Sequence, residues 1–246
     1  MVVEQRMNIR HLLVFLALQL VAGRDSGEAI VRRMHDRYAG KWYRTMTLVR
    51  TLHTANRGDS VRTFFDTIRL PGHLRVDGGP GDPDGLLFTA DSTYTIHGGT
   101  VAVSGASPNR FFLLRFDVYV DPVEKTLATL RGRGFDLTKG YDWVWEGRDV
   151  YVVGAGPMDD RTRQFWIDKE RLVVVRQVDE LSGHKLELRY QNFRPIANGW
   201  IPTQVEWRQD DQHVMLEQYD DIKANVPLDS ALFDPARWLT ARHWTR

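Results

Sequence analysis

From Trp42 onward the chain alternates apolar and polar residues over most of its length, the period of a strand with one wet face. The alternation is strict in Lys185-Leu186-Glu187-Leu188-Arg189-Tyr190-Gln191 and returns in Thr203-Gln204-Val205-Glu206-Trp207-Arg208. Gln164–Asp168 and Leu172–Val178 are rich in β-branched and aromatic residues, and Asp168-Lys169-Glu170-Arg171 between them predicts a hairpin turn. Tyr43–His53 and Ser60–Leu70 flank Asn56-Arg57-Gly58-Asp59, a second hairpin signal. Shorter strands are predicted over Leu86–Ala90, Thr93–His97 and Thr100–Ser104, and Trp143–Trp145 pairs with Val150–Val153 around Glu146-Gly147-Arg148-Asp149. About eleven strands in series with short turns predict one antiparallel meander.

Two stretches break the alternation in favour of helix. Asp25 or Ser26 is a natural N-cap, with Glu28 placed as in a capping box, and Ile30, Met34 and Tyr38 then form one apolar face before Gly40. Asn109–Leu130 carries Phe111, Phe112, Leu114, Phe116, Val118, Val123, Leu127 and Leu130, with Asp121-Pro122 as an internal helix start. One or two helices are predicted there, capping the sheet. Gly78–Gly85 reads as a mobile loop rather than a domain boundary, and no internal repeat is present. The expectation is a single domain over 24–246, mainly β with a few helices (α+β).

The first residues read as an address. Arg6 and Arg10 precede an apolar run, Leu12–Ala22, that is shorter than the ~20 residues needed to span a bilayer. Val21-Ala22-Gly23 offers a cleavage site, and Arg24-Asp25-Ser26-Gly27 is a polar break. Residues 1–23 are therefore read as a signal peptide and the mature chain as exported, to the periplasm or beyond. The competing reading is a buried N-terminal helix; an uncleaved segment would be a weak anchor.

Composition narrows the chemistry. The 246 residues include no cysteine, which excludes disulfides, thiolate zinc sites, a thiol nucleophile and lipidation of this chain itself. Lys+Arg number 33 against 32 Asp+Glu, without the basic excess of a nucleic-acid binder. Eight histidines form no HxH, HxxxH or HExxH spacing, and each is predicted to be a surface or turn residue. No G-x-S-x-G is present, and Arg131-Gly132-Arg133-Gly134 reads as a helix end rather than a phosphate loop. Asp159-Asp160, Asp210-Asp211 and Asp220-Asp221 place neighbours on opposite strand faces and read as solvated charges. No catalytic residue, metal site or cofactor is predicted. An enzyme built from scattered Asp, Glu and His would need polar groups converging inside a cavity. A sheet with one apolar face must cover that face or use it, so a ligand pocket under the helices and a filled core are both open.

Several stretches, in order, resemble the periplasmic lipoprotein-carrier superfamily of LolA and LolB. Leu70-Pro71-Gly72-His73-Leu74-Arg75-Val76-Asp77 is similar to that family's Pro-Gly opening of a strand, and Leu87-Phe88-Thr89-Ala90-Asp91-Ser92-Thr93-Tyr94 to the next segment. Gln164–Asp168 followed by Leu172-Val173-Val174 is similar to the strand-turn-strand after the middle helices. Tyr190–Phe193, Trp200-Ile201-Pro202, Ile222–Asn225 and Leu228–Pro235 continue the order. The position before the proline, an arginine in the soluble carriers, is Leu70 here, with Arg69 facing the other way. The aromatic, basic tail Ala236–Trp244 reads as a final packed strand or as a docking or membrane-surface segment.

The resemblance implies a curved antiparallel half-barrel under a helical lid, with a cavity for acyl chains. On it rests the expectation of an exported monomeric carrier or binder of lipid or lipoprotein acyl chains, with an envelope membrane protein as a further partner and no nucleic acid. The candidate lining is Leu74, Val76, Phe88, Tyr94, Ile96, Phe165, Ile167, Leu186, Leu188, Val205 and Trp207 on the sheet, with Phe112 and Phe116 on the lid. The alternative on the same fold is an envelope sensor or interaction module with a filled core.

Overall fold

The structure, a computed structural model, describes residues 25–55, 60–107 and 109–245. Residues 1–23, read above as a signal peptide, and 56–59, read as a hairpin turn, lie outside the described residues. Helix α1 spans Gly27–Tyr38 and buries Ile30, Val31, Met34 and Tyr38. Its N-cap is Ser26, whose hydroxyl accepts from the Ala29 N–H at 3.2 Å. The capping box does not form. Asp25 instead holds Arg33 at 2.5 Å, and Glu28 is taken by Arg32 at 2.8 Å and by Arg131.

Thirteen strands make one open sheet, two more than the sequence pattern predicts. They are β1 Thr45–Thr54, β2 Ser60–Arg69, β3 His73–Asp77, β4 Gly85–Phe88, β5 Thr93–His97 and β6 Thr100–Gly105, then β7 Gly140–Trp145, β8 Arg148–Val153, β9 Gln164–Asp168, β10 Val174–Leu181, β11 His184–Ile196, β12 Gly199–Gln209 and β13 Gln212–Ala224. The spatial order is β6-β5-β4-β3-β2-β1-β13-β12-β11-β10-β9-β8-β7. The predicted single meander is thus two. One runs outward from β1 to β6, the chain crosses to the far edge, and the second returns from β7 to β13 beside β1. β13 escapes the alternation rule because Asp221 takes φ 44° and the β1–β13 register shifts between Thr47 and Val49.

The crossover carries the predicted helices: α2 Phe112–Arg115, a 3₁₀ turn Asp117–Tyr119, and α3 Val123–Gly132. Asp121 does not cap α3 but pairs with Lys125 at 2.9 Å, and the cap position is Pro122. All three helices pack on the concave side of the sheet and close the main core. α1 approaches β7 through glycines: a Cβ at Gly27 would meet the Lys139 carbonyl at 2.7 Å, and one at Gly140 the Asp25 carbonyl at 2.5 Å. Trp42 stacks on Tyr119 at 4.0 Å, and the Tyr119 hydroxyl accepts from the Val174 N–H at 2.9 Å, tying the crossover to β10.

A second, smaller core lies on the convex side. Leu87, Ile96, Leu232, Phe233 and Trp238 are buried together under the C-terminal tail. The tail packs, as predicted, but as 3₁₀ turns at Ser230–Phe233 and Pro235–Arg237 rather than as a strand. His243 departs from the surface role predicted for histidines: it is buried, with Nε2 at 3.1 Å from Asp77 Oδ1. Asp77 also accepts from Arg75 at 2.7 Å, and Arg75 lies 3.8 Å from the Trp238 ring. Gly78–Gly85 is a loop, held by Asp82, whose carboxylate accepts from the Gly78 N–H and whose carbonyl accepts from Trp238 Nε1.

Candidate functional site

Under the lid, the concave face keeps a cavity of about 120 Å³. Strand alternation decides what reaches it. On β1 every second residue brings Leu48 and Arg50 inward, on β2 Asp66 and Ile68, on β3 Leu74. From the other meander come Trp207, Glu217 and Tyr219. The lid contributes Asn109, Phe111, Phe112, Arg115 and Phe116. Phe111 meets the Trp207 edge at 4.9 Å between ring centres, and Phe112 leans on Phe116 at 4.8 Å.

The wall is not purely apolar. Arg50 donates to both carboxylate oxygens of Asp66, at 2.8 and 3.2 Å. Arg115, on the lid, donates to Glu217 at 3.1 Å and to the Tyr219 hydroxyl at 2.8 Å. Trp207 Nε1 donates to the other Glu217 oxygen at 3.1 Å, and Arg50 lies 3.8 Å from it. The four charges sum to zero, as a buried cluster requires. Burial pushes the Asp66 carboxyl above its ordinary value against the pull of Arg50. Burial acts on Glu217 in the same direction, but the guanidiniums of Arg115 and Arg50 outweigh it and hold that carboxyl low. Arg115 Nε and Nη2 are buried without a hydrogen-bond partner, and the guanidinium lies 5.5 Å from the Tyr190 ring and 5.9 Å from the Tyr219 ring.

A second lid contact lies beside this one. The Asp117 carboxylate accepts from the Gly72 N–H at 3.0 Å, joining the 3₁₀ turn to the β2–β3 corner. Burial, with Asp121 adding repulsion, raises the Asp117 carboxyl to about 7 against the pull of Gly72, Lys125 and Arg133.

Of the residues the sequence pattern nominates, Leu74, Trp207, Phe112 and Phe116 line the cavity. Val76 and Phe88 share the face of Leu74 but stand outside the lining. Phe165, Ile167, Leu186, Leu188 and Val205 are buried in the main core, already covered by protein. Tyr94 and Ile96 face the opposite side, where Ile96 is in the convex core and Tyr94 packs against it. Sequence reasoning misses Leu48, Arg50, Asp66, Ile68, Phe111, Arg115, Glu217 and Tyr219. A signal was present for two of them. Met46-x-Leu48-x-Arg50 and Asp66-x-Ile68 put a charge in the apolar phase of a strand, which a solvent-facing charge does not do. Two of the acidic pairs read as free charges, Asp159-Asp160 and Asp210-Asp211, give Asp160 and Asp211 to the buried Lys185 at 3.0 and 2.8 Å.

Among the described residues, no helix is long and apolar enough to cross a membrane, and no group of three or more His, Cys, Asp and Glu side chains could hold a metal ion. No protein-family model matches the sequence, and no curated protein matches it. Solved structures do match. A DUF1329 family protein from Desulfovibrio piger superposes with a TM-score of 0.53 at 13% identity, over 85% of this chain and 95% of that one. A LolA superfamily protein from Nitrosomonas europaea does so with a TM-score of 0.51 at 13% identity, over 85% and 97%. A putative outer membrane lipoprotein-sorting protein domain from Vibrio parahaemolyticus gives 0.48 at 13% identity, over 85% and 96%. At this identity the likeness shows the fold alone: an open antiparallel sheet with helices on one face, similar to that of the LolA superfamily protein.

Proposed function

We propose that the chain is an exported carrier or binder of lipid or lipoprotein acyl chains, held non-covalently between the concave sheet and the lid. The observation that carries this reading is the way the lid is attached. A four-residue helix closes the apolar face, and it is joined to the sheet beside the cavity through the Arg115–Glu217–Tyr219 contact and the Asp117–Gly72 hydrogen bond. On this reading the joint opens and recloses without unfolding the sheet. The LolA-superfamily fold agrees with it.

The closed cavity, about 120 Å³, is well below the ~300–1,000 Å³ of ordinary ligand pockets. Loading therefore requires the segment 109–120 to move, carrying Phe111, Phe112 and Phe116 away from Leu48, Ile68 and Leu74. Each buried methylene is worth about 0.8 kcal/mol, so a chain of a dozen carbons gains roughly 10 kcal/mol, enough to offset lid opening. A non-catalytic role is supported by the cavity's charges. Arg50, Asp66, Arg115 and Glu217 are committed to one another. Export rests on the N-terminal segment, and delivery would call for a membrane-protein partner in the envelope. The small cavity favours a second reading, in which the fold is an interaction module whose interior stays closed.

The test is native mass spectrometry of the mature chain from a periplasmic extract, with organic extraction of bound material and titration with a fluorescent fatty acid. A co-purifying acylated species, or saturable uptake that rises in Arg115→Met, supports the carrier. A clean apo mass with no uptake by either protein overturns it in favour of the interaction module.

A further inference from the structure

A hollow larger than the lid cavity lies elsewhere in the fold. It lies at a split in the sheet and has a volume of about 510 Å³. β10 and β11 pair from Leu181↔His184 to Arg176↔Arg189, and no pairing between them continues beyond that point. β11 runs on to Ile196, paired with β12 alone, while β10 shifts its register against β9 between Val174 and Arg176. The two strands part, and the hollow opens between them.

Its chemistry differs from that of the lid cavity. Trp145, half-buried, stands at one side, fixed edge-on against Trp166 at 5.7 Å. Across the hollow, Gln191, Asn192 and Gln204 form a chain of amides. Gln204 donates to Gln191 at 2.9 Å, and Asn192 donates to Gln204 at 3.2 Å. Asn192 is held at φ 55°, a conformation that asparagine tolerates better than most residues. Two guanidiniums, Arg148 and Arg171, face two carboxylates, Glu146 and Asp168. Arg148 binds Asp168 at 2.5 Å, and Asp168 also accepts from the Glu170 and Arg171 N–H groups, so that carboxylate is saturated.

A ligand for such a place is constrained from three sides. The balanced charges disfavour a phosphate or any other strongly charged group. Amides offer donor and acceptor together, which suits a hydroxyl that is also both. An aromatic face beside them suits a flat array of C–H bonds. A sugar ring meets all three conditions. An acyl chain fails the second condition, because its carbons would leave unpaired the amide groups that Gln191, Asn192 and Gln204 do not use on one another. We propose that this hollow, at the split between β10 and β11, is a binding site for a neutral saccharide of one to three rings, stacked on Trp145 and hydrogen-bonded by Gln191, Asn192 and Gln204. It is independent of the acyl-chain reading, because none of its residues lines the lid cavity.

The test uses the full mature chain on an immobilised array of neutral hexose and N-acetylhexosamine oligosaccharides of one to six units, with acidic glycans and inorganic phosphate beside them. Hits are followed by saturation-transfer NMR. The expected result is retention of at least one neutral saccharide. Trp145→Ala should weaken it about tenfold or more, with recovery in Trp145→Phe. Gln191→Ala should weaken it without altering the melting temperature, and Leu239→Ala, at an exposed position outside the hollow, should leave it unchanged. Three outcomes would overturn the proposal: no retention at millimolar saccharide, retention indifferent to both Trp145→Ala and Gln191→Ala, or preference for the acidic glycans or phosphate.

Discussion

The joint between lid and sheet makes a quantitative claim about stability. Arg115→Met leaves Arg50 alone between Asp66 and Glu217, a cluster with one uncompensated negative charge. The Glu217 carboxylate keeps the Trp207 Nε1 donor at 3.1 Å, the Tyr219 hydroxyl and, at 3.8 Å, Arg50, so it is not fully stranded. Removing one partner of a buried pair costs about 3–5 kcal/mol, and the remaining donors place this case at the lower end, near 3. Glu217→Gln removes the opposite charge and should cost about the same, because Arg115 and Arg50 then share Asp66 alone. The double variant is neutral again. It should lose far less than the ~6 kcal/mol that addition predicts, with a coupling of about 2–3 kcal/mol. Urea unfolding of the four proteins measures this, with m-values compared to exclude a changed unfolded state. Hydrogen exchange localises it: amides in 112–119 should lose protection in Arg115→Met while those of β11 and β12 keep theirs. Losses that add to within ~0.5 kcal/mol would refute the joint as an energetic unit and leave it a contact of geometry only.

Three further outcomes follow from the geometry. Asp117 is neutral in the folded chain up to about pH 7 but ionises near 3.8 when unfolded, so the folded state holds the extra proton and stability falls as pH rises between those values, by at most about 4 kcal/mol; Asp117→Asn should flatten that slope in pH-dependent melting and exceed the parent above pH 7, and an unchanged slope would refute the assignment. Phe112→Ala should lower stability by about 3–5 kcal/mol and enlarge the lid cavity, read as tighter uptake of a fluorescent fatty acid; equal or weaker uptake would count against the cavity as the acyl site. Trp238 is 1% exposed and Leu239 53% exposed; Trp238→Ala should therefore lower the melting temperature sharply and free the loop 78–85 in hydrogen exchange, whereas Leu239→Ala should do neither.

The sheet was legible because alternation survives in most strands, and the helices because their apolar spacing changes to three and four. The strand count and the crossover were less so. β3 is five residues between two turns, and β13 loses its phase at Asp220-Asp221. Of the thirteen nominated residues four line the cavity, for a reason visible at β4 and β5. Leu86, Leu87 and Phe88 are apolar on both faces, and the second face is covered by a tail more than 140 residues away in sequence. A reading that assigns one apolar face to each strand puts Tyr94 and Ile96 under the lid, although Leu87↔Tyr94 places them with Leu87 on the other side. A single-residue phase error moves a whole strand between faces. Arg50, Asp66 and Glu217 escaped because a search for chemistry looks for charges near one another in sequence, and these three meet only across the β2–β1–β13 ladder.

The charged cluster also bears on how a carrier of apolar cargo should close. If the lid were held by apolar contacts alone, the closed state would be favoured by the same force that retains the ligand, and a tighter seal would mean a more collapsed, less open cavity. Four buried charges contribute little net stability, because their desolvation cancels most of their attraction. They do fix geometry: Arg115 finds its two acceptors only in one placement of α2. Were the lid to lift, water would reach Arg115 and Glu217 and replace the hydrogen bonds they lose, so that the cost of opening would be partly offset as it arose. An apolar joint has no such compensation, because each exposed methylene adds its own penalty. On the proposed carrier reading, a lid latched by charge over a pocket walled by Leu48, Ile68 and Leu74 would separate two demands, a defined closed state and an apolar interior free to take cargo once the latch is wet.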